Sequence, residues 1–158
     1  VSVSVSASNA KPEATCAAVA TARAASAARP SVCDVAALVA QVVGREDVGR
    51  AAIITAASLV DEVDVRVREA LPDGIVGHGD DRLDATVSVL TVQQAKGLEF
   101  DAVFVVEPDL IDAEAARRGT DLYVALTRAT RSLTITYTGD YPRSLSRIDH
   151  SAIASRTH

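Results

Sequence analysis

Polar and apolar residues alternate strictly over Val1–Ser6 (VSVSVS), which predicts a strand with one buried face. Pro12–Ala28 is rich in strong helix formers, with proline in the tolerated first turn and Pro30 closing the far end. Ser31 or Asp34 can cap a second helix that runs to Val43, where Gly44 supplies the stop. The pattern then shortens. Ala51–Thr55 (AAIIT) is an unbroken apolar run of the kind a parallel sheet buries on both faces. Ser58 reads as the cap of a helix ending at Ala70, before Pro72–Gly74. Gly74–Asp84 holds three glycines and three aspartates and reads as an irregular surface connection. A phosphate cradle on Gly74, Gly77 and Gly79 is disfavoured, because no helix start follows them and Asp80 and Asp81 would repel an anion.

From Thr86 the elements are crisper. Thr86–Val92 predicts a strand, Gln93–Asp101 a polar loop with one glycine, and Ala102–Glu107 (AVFVVE) a second buried strand. Asp109–Arg118 can form a short helix ended by Gly119, Thr120 caps the next helix over Asp121–Thr130, and Leu133–Tyr137 (LTITY) is the last strand. Strands alternating with helices imply an α/β layered fold around a mainly parallel sheet. Residues 1–140 are expected to make one domain, with 141–158 as a polar tail; no internal repeat is visible.

Composition narrows the picture. The chain has 158 residues, enough for one domain with a substantial core, and that core must come from Val, Ala, Leu and Ile because aromatics are only 3%. A net charge of −5 makes a poor stand-alone nucleic-acid binder, since affinity for a phosphate backbone comes from clustered cations. Cys16 and Cys33 stand in apolar surroundings with no Cys-x-x-Cys pair and no histidine at a zinc spacing, which reads as two buried thiols in a reducing cytoplasm. No run of about 18 apolar residues is present to span a membrane.

Two segments carry candidate chemistry, TVQQAKGLEFD over Thr91–Asp101 and YVALTRAT over Tyr123–Thr130. Ligands of open α/β sheets gather where strands meet loops, and the first segment puts Lys96, Gly97 and Glu99 between two apolar strands. Gly97 permits close backbone approach or a positive φ, and Glu99 could accept hydrogen bonds from a ribose. An ordinary solvated loop is the plain alternative. Arg128 falls near the end of a short apolar helix, where a lone arginine commonly satisfies helix carbonyls.

Together the two strings resemble the fifth and sixth conserved motifs of the UvrD, Rep and PcrA helicases of superfamily 1, in the same order and followed by the same kind of strand. The resemblance rests on Thr86–Tyr137; residues 1–70 share only a strand–helix rhythm. It implies a RecA-like three-layer fold and a second motor domain, which clamps ATP against an N-terminal RecA-like partner of the same parent chain. By resemblance Glu99 contacts the ATP ribose, Lys96 and Gly97 shape the loop by the phosphates, and Arg128 is the catalytic arginine finger. A planar, permanently charged fork suits charge on a transferring phosphoryl group. Thr91 and Gln93 would face nucleic acid. The family usually has histidine where this chain has Gln93, which puts the coupling between nucleotide and strand in doubt. The sequence has no G-x-x-x-x-G-K-[ST] loop and no matching Walker B acid, so magnesium-bound ATP is expected to need the preceding domain, and the isolated chain to be inactive. QAKGLEFDAVFVVEP with DLYVALTRAT after a short gap also resembles the HelD-like branch, whose working partner is RNA polymerase rather than DNA. A degenerate RecA-like protein-binding module is the remaining rival. His78, His150 and His158 form no constellation, and Asp61, Glu62 and Asp64 beside Arg66 and Arg68 read as a solvated, salt-bridged helix face.

Overall fold

Five strands run in the same direction in the order β1-β5-β4-β2-β3, a fully parallel sheet in a computed structural model. The structure describes residues 2–8, 30–43, 49–77, 85–117, 119–138 and 142–147. The strands are β1 (Ser2–Ser8), β2 (Ala51–Thr55), β3 (Val87–Thr91), β4 (Phe100–Val106) and β5 (Ala129–Thr138). The helices are α1 (Pro30–Val43), α2 (Val60–Ala70), α3 (Val92–Ala95), α4 (Pro108–Glu114) and α5 (Thr120–Leu126). The helix expected over Pro12–Ala28, Cys16 and the three histidines lie outside the described residues.

The sheet is buried on both sides, as its unbroken apolar runs require. Successive residues of a strand face opposite ways, so each central strand feeds two cores. Ala51 and Ile53 of β2, with Ala102, Phe104 and Val106 of β4, pack against Val35 and Val39 of α1 and Val63 and Val67 of α2. Ala52 and Ile54, with Val103 and Val105, pack on the other face with Ile111 of α4 and Leu122 and Ala125 of α5. This is a three-layer α/β/α arrangement. Leu145, in a short 3-10 turn at Leu145–Arg147, joins the second core, so the described part of the segment after β5 is folded onto the domain.

Several expected boundaries move, each for a local reason. Ser58 does not cap α2: Leu59 is the N-cap and makes no side-chain cap bond, while the Ser58 hydroxyl goes to Glu114. The stretch after β3 is not all loop. Thr91 Oγ1 accepts from Gln94 N at 3.4 Å and Gln94 Oε1 accepts from Thr91 N at 2.9 Å, a reciprocal capping box that nucleates the one-turn α3. α4 is shorter than expected. It starts at Pro108 after Glu107, a non-glycine residue at φ 52°, and Glu107 Oε1 accepts from Thr138 Oγ1 at 2.6 Å. α5 is capped by Gly119 at φ 83°, not by Thr120, and stops at Leu126. β5 therefore begins at Ala129, four residues before the expected start, and Arg128 sits in the turn between them. On α2 the expected pairing holds for Arg68, with Nε 2.7 Å from Asp64, but that pair is part-buried rather than solvated, and Arg66 Nη1 goes at 3.2 Å to Glu69, which the sequence reading did not single out.

Asp109 ties the segment after β5 to α4, accepting from Ser144 N at 2.9 Å and Arg143 N at 3.2 Å. Burial alone would raise its pKa, but hydrogen bonds from Ser144 and Arg143 and the Arg143 charge outweigh burial and hold the carboxyl below its usual 3.8. A lowered native pKa means the unfolded chain takes up the proton first. The stabilisation is complete above pH 3.8 and is lost as pH falls through the lower native value. Asp109→Asn should therefore lower the thermal midpoint at neutral pH, with a deficit that closes below that window. A deficit constant down to strongly acidic pH would contradict this account.

Candidate functional site

In a parallel sheet all strands begin along one edge and end along the other, and the candidate residues divide between these two edges. Arg128, Glu99 and Arg50 immediately precede β5, β4 and β2, which lie side by side in that order, so the three residues share the edge where strands begin. Thr91 ends β3 and Gln93 follows it on α3, at the edge where strands end. The sequence places all of these residues in two strings; the topology separates one string, Thr91–Asp101, by the full length of a strand.

At the beginning edge Arg128 is half-buried and well anchored. Its Nε donates to Val124 O at 3.1 Å, Nη1 to Leu98 O at 3.2 Å and Nη2 to Thr127 Oγ1 at 3.2 Å. It does satisfy a helix carbonyl, as a lone arginine at a helix end commonly does, but that bond uses only Nε. Among the described residues three of the five guanidinium N–H donors are engaged, which leaves one on each terminal nitrogen. Two parallel donors on a fixed plane are the arrangement that grips a phosphate or carboxylate bidentately. The backbone of Arg128 also accepts from Phe100 N at 3.0 Å, so the turn carrying the arginine and the start of β4 are stitched together. Glu99 itself is exposed.

At the ending edge Gln93 is the centre of a small network. Its Nε2 donates to Asp121 Oδ2 at 3.1 Å, and its Oε1 accepts from Lys96 Nζ at 2.6 Å; Lys96 Nζ stands 3.5 Å from Asp121 Oδ1. A carboxamide can give and accept at once at any pH, whereas a protonated imidazole could not accept from Lys96. Gln93 thus contributes no titrating group of its own to this network. Lys96 accordingly points towards Gln93 and Asp121, away from Arg128 and Glu99. Thr91 has its hydroxyl and N–H committed to Gln94 in the capping box.

Gly97, at φ 81°, follows Lys96 and turns the chain back towards β4. A Cβ there would meet nothing within 4 Å, so it is the backbone conformation, not space, that favours glycine. A cleft of about 110 Å³ opens beside Thr91 and Gln93, lined also by Thr55, Ile111, Glu114 and Asp121. Ligand pockets are roughly 300–1,000 Å³, so this cleft cannot enclose a nucleotide. Glu114 braces its wall, accepting from Ala57 N at 2.8 Å and Ser58 N at 3.3 Å.

Asp121, Glu114 and Arg50 escaped the reading of the sequence. Asp121 stands in the first turn of a predicted helix and Arg50 directly before a predicted strand; placing them beside Lys96 and Glu99 needs the strand order, which no single sequence states. Among the described residues no three His, Cys, Asp or Glu side chains gather as a metal-holding group, and no helix is long and apolar enough to cross a membrane.

Residues 86–136 match the family model of the UvrD-like helicase C-terminal domain, a stretch that includes Thr91, Gln93, Lys96, Gly97, Glu99 and Arg128. Among solved structures the chain is similar to the crystal structure of the C-terminal domain of a possible DNA helicase from Lactobacillus plantarum WCFS1, at 25% identity and a TM-score of 0.59, covering 77% of this chain and 75% of that one. No curated protein matches the chain significantly. The fold is that of a helicase C-terminal, RecA-like domain, and residues 86–136 carry its UvrD-like signature.

Proposed function

We propose that the chain works as the second motor domain of an ATP-dependent DNA helicase of superfamily 1. The observation that carries this reading is the juxtaposition of Arg128 and Glu99 at the starts of the neighbouring strands β5 and β4. Arg128 is anchored yet keeps one N–H on each terminal nitrogen, and Glu99 is exposed beside it. An anchored guanidinium costs little reorganisation when charge develops on a phosphoryl group, which is what an arginine finger requires. The Glu99 carboxylate can accept from two vicinal ribose hydroxyls, and Gly97 keeps the loop backbone open to the phosphates. On this reading ATP is held mainly by a preceding domain. That domain would also hold magnesium, which neutralises phosphate charge. Thr91 and Gln93, at the opposite edge, would meet single-stranded DNA.

A second reading has one observation in its favour. Only a short helix and a few residues separate β4 from α5, with no inserted subdomain between the two motif strings. That economy fits a HelD-like ATPase that remodels RNA polymerase without tracking along DNA. The deciding experiment is steady-state ATP hydrolysis by a protein carrying both motor domains, with and without single-stranded DNA. Strong stimulation, about tenfold or more in kcat, is expected for the helicase reading (a change of about 1.4 kcal/mol in barrier). Turnover indifferent to DNA would overturn that reading in favour of the polymerase one. Absence of turnover under all conditions would leave a protein-binding module.

A further inference from the structure

Glu99 has an arginine on either side along its edge, and the second one has no assigned role. β4 lies between β5 and β2, so Glu99, at the start of β4, lies between Arg128 and Arg50. The Phe100–Ala129 pairing sets Arg128 level with Glu99, one strand spacing of about 4.8 Å away, while the Ala51–Ala102 pairing sets Arg50 level with Asp101, from where its guanidinium reaches back to Glu99.

Arg50 wraps the start of β4 with its backbone and its side chain. Its N–H donates to Asp101 Oδ2 at 2.9 Å, and its carbonyl accepts from Asp101 N at 2.9 Å and Ala102 N at 3.2 Å. The guanidinium Nη2 donates to Glu99 O at 3.2 Å and lies over the Phe100 ring, 5.6 Å from its centroid. Gly49 makes this approach possible: a Cβ at that position would stand 2.7 Å from Asp101 Oδ2. Arg50 therefore fixes the peptide of Glu99 from one side while Arg128 fixes Leu98 O from the other. Both bonds hold backbone, so they fix the stretch of chain that carries the Glu99 side chain without occupying its carboxylate. A lysine could hold the charge over Phe100 but has no planar fork to stack and donate together.

We propose that Arg50 is a positioning residue for nucleotide binding, setting the direction of Glu99 towards the ribose. This rests on the reading of Glu99 as the ribose contact. Because Arg50 acts through a group that binds the ribose equally in ground and transition states, its loss should appear in KM and not in kcat.

The test is steady-state ATP hydrolysis by the protein carrying both motor domains, for Arg50→Ala, Arg50→Lys, Glu99→Ala and the Arg50→Ala/Glu99→Ala pair, each checked for an unchanged thermal midpoint. Glu99→Ala is expected to raise KM for ATP about tenfold and Arg50→Ala about fivefold, with kcat within about twofold. Arg50→Lys should fall between wild type and alanine, and the double variant should match Glu99→Ala alone. If Glu99→Ala raises KM and Arg50→Ala does not, or if the two effects simply multiply, the positioning role is overturned and the ribose reading stands. A kcat loss for Arg50→Ala like that of an arginine finger overturns it too. An unchanged KM for Glu99→Ala overturns the ribose reading itself, and this inference with it. Should Arg50→Ala fail to fold, Arg50→Lys carries the test: a KM equal to wild type overturns the proposal.

Discussion

Replacing Arg128 by alanine, in a protein that carries both motor domains, is expected to cut kcat for ATP hydrolysis by about 10³–10⁵ with little change in KM, the range typical of arginine fingers. The direction follows from where the guanidinium is held. Three of its donors fasten it to Val124 O, Leu98 O and Thr127 Oγ1, and each terminal nitrogen keeps one N–H for a phosphate oxygen. Removing it also frees Leu98 O and Val124 O, so some local stability should be lost. Each such bond contributes only about 1 kcal/mol net, and Val124 and Leu98 lie where water can replace the donor. The thermal midpoint should therefore fall by a few degrees while turnover falls by orders of magnitude. Arg128→Lys tests the fork separately, because lysine keeps the charge and loses the parallel donors. Turnover near the wild-type rate in Arg128→Ala would remove the arginine from the mechanism and leave it a helix-end anchor.

The largest effect on stability is expected at Phe104. It is 1% exposed, it stands in the central strand β4, and it packs in the core shared by β2, α1 and α2. Among the described residues no other ring belongs to this core; the surroundings are mostly Val, Ile and Ala, whose stiff or short side chains relax little, with Leu59 and Leu71. Phe104→Ala should cost about 3–5 kcal/mol, a large share of the roughly 5–15 kcal/mol that holds a domain together. With a urea m-value near 2 kcal/mol/M, the unfolding midpoint of this chain should drop by about 2 M. Val65, 53% exposed on α2, is the control, and Val65→Ala should stay within about 0.5 kcal/mol. A Phe104→Ala midpoint as high as that of Val65→Ala would mean that the two-sided core described above is wrong.

The sequence was most legible where one residue pattern admitted one structure. Ala51–Thr55 was bounded to the residue, because a short apolar run with two β-branched isoleucines and a closing threonine fits a buried parallel strand. The buried stretch of β4 was legible for the same reason, and the pairing of Arg68 on α2 from the acids beside it. Caps were less so. Gly119 displaced Thr120 at the head of α5, and Thr91 with Gln94 made a helix out of an expected loop. In both cases several polar residues compete for the same backbone N–H groups, and backbone geometry decides among them. Of the candidate site, two strings could be singled out in the sequence, but their distribution over two edges could not, and Arg50, Glu114 and Asp121 lie outside both. That Lys96 turns towards Gln93 and Asp121 depends on α5 being brought alongside α3, a contact between segments far apart in the chain.

The segment between β3 and β4 has a mechanical consequence. It must carry the chain from the end of one strand to the beginning of another, past β2, using residues 92–99. Four of these are helical and rise only about 1.5 Å each, so the nine steps from Thr91 to Phe100 reach roughly 22 Å. Thr91 is level with Val106, so the path to be covered is about 20 Å along the strands and two strand spacings sideways, or close to 22 Å. There is almost no slack. One end is bolted by the capping box at Thr91 and the other by Arg128 on Leu98. While α3 keeps its single turn, a link that is taut and fixed at both ends behaves as a tie-rod: a pull at Gln93 is passed on to Leu98 and Glu99 instead of being taken up as slack.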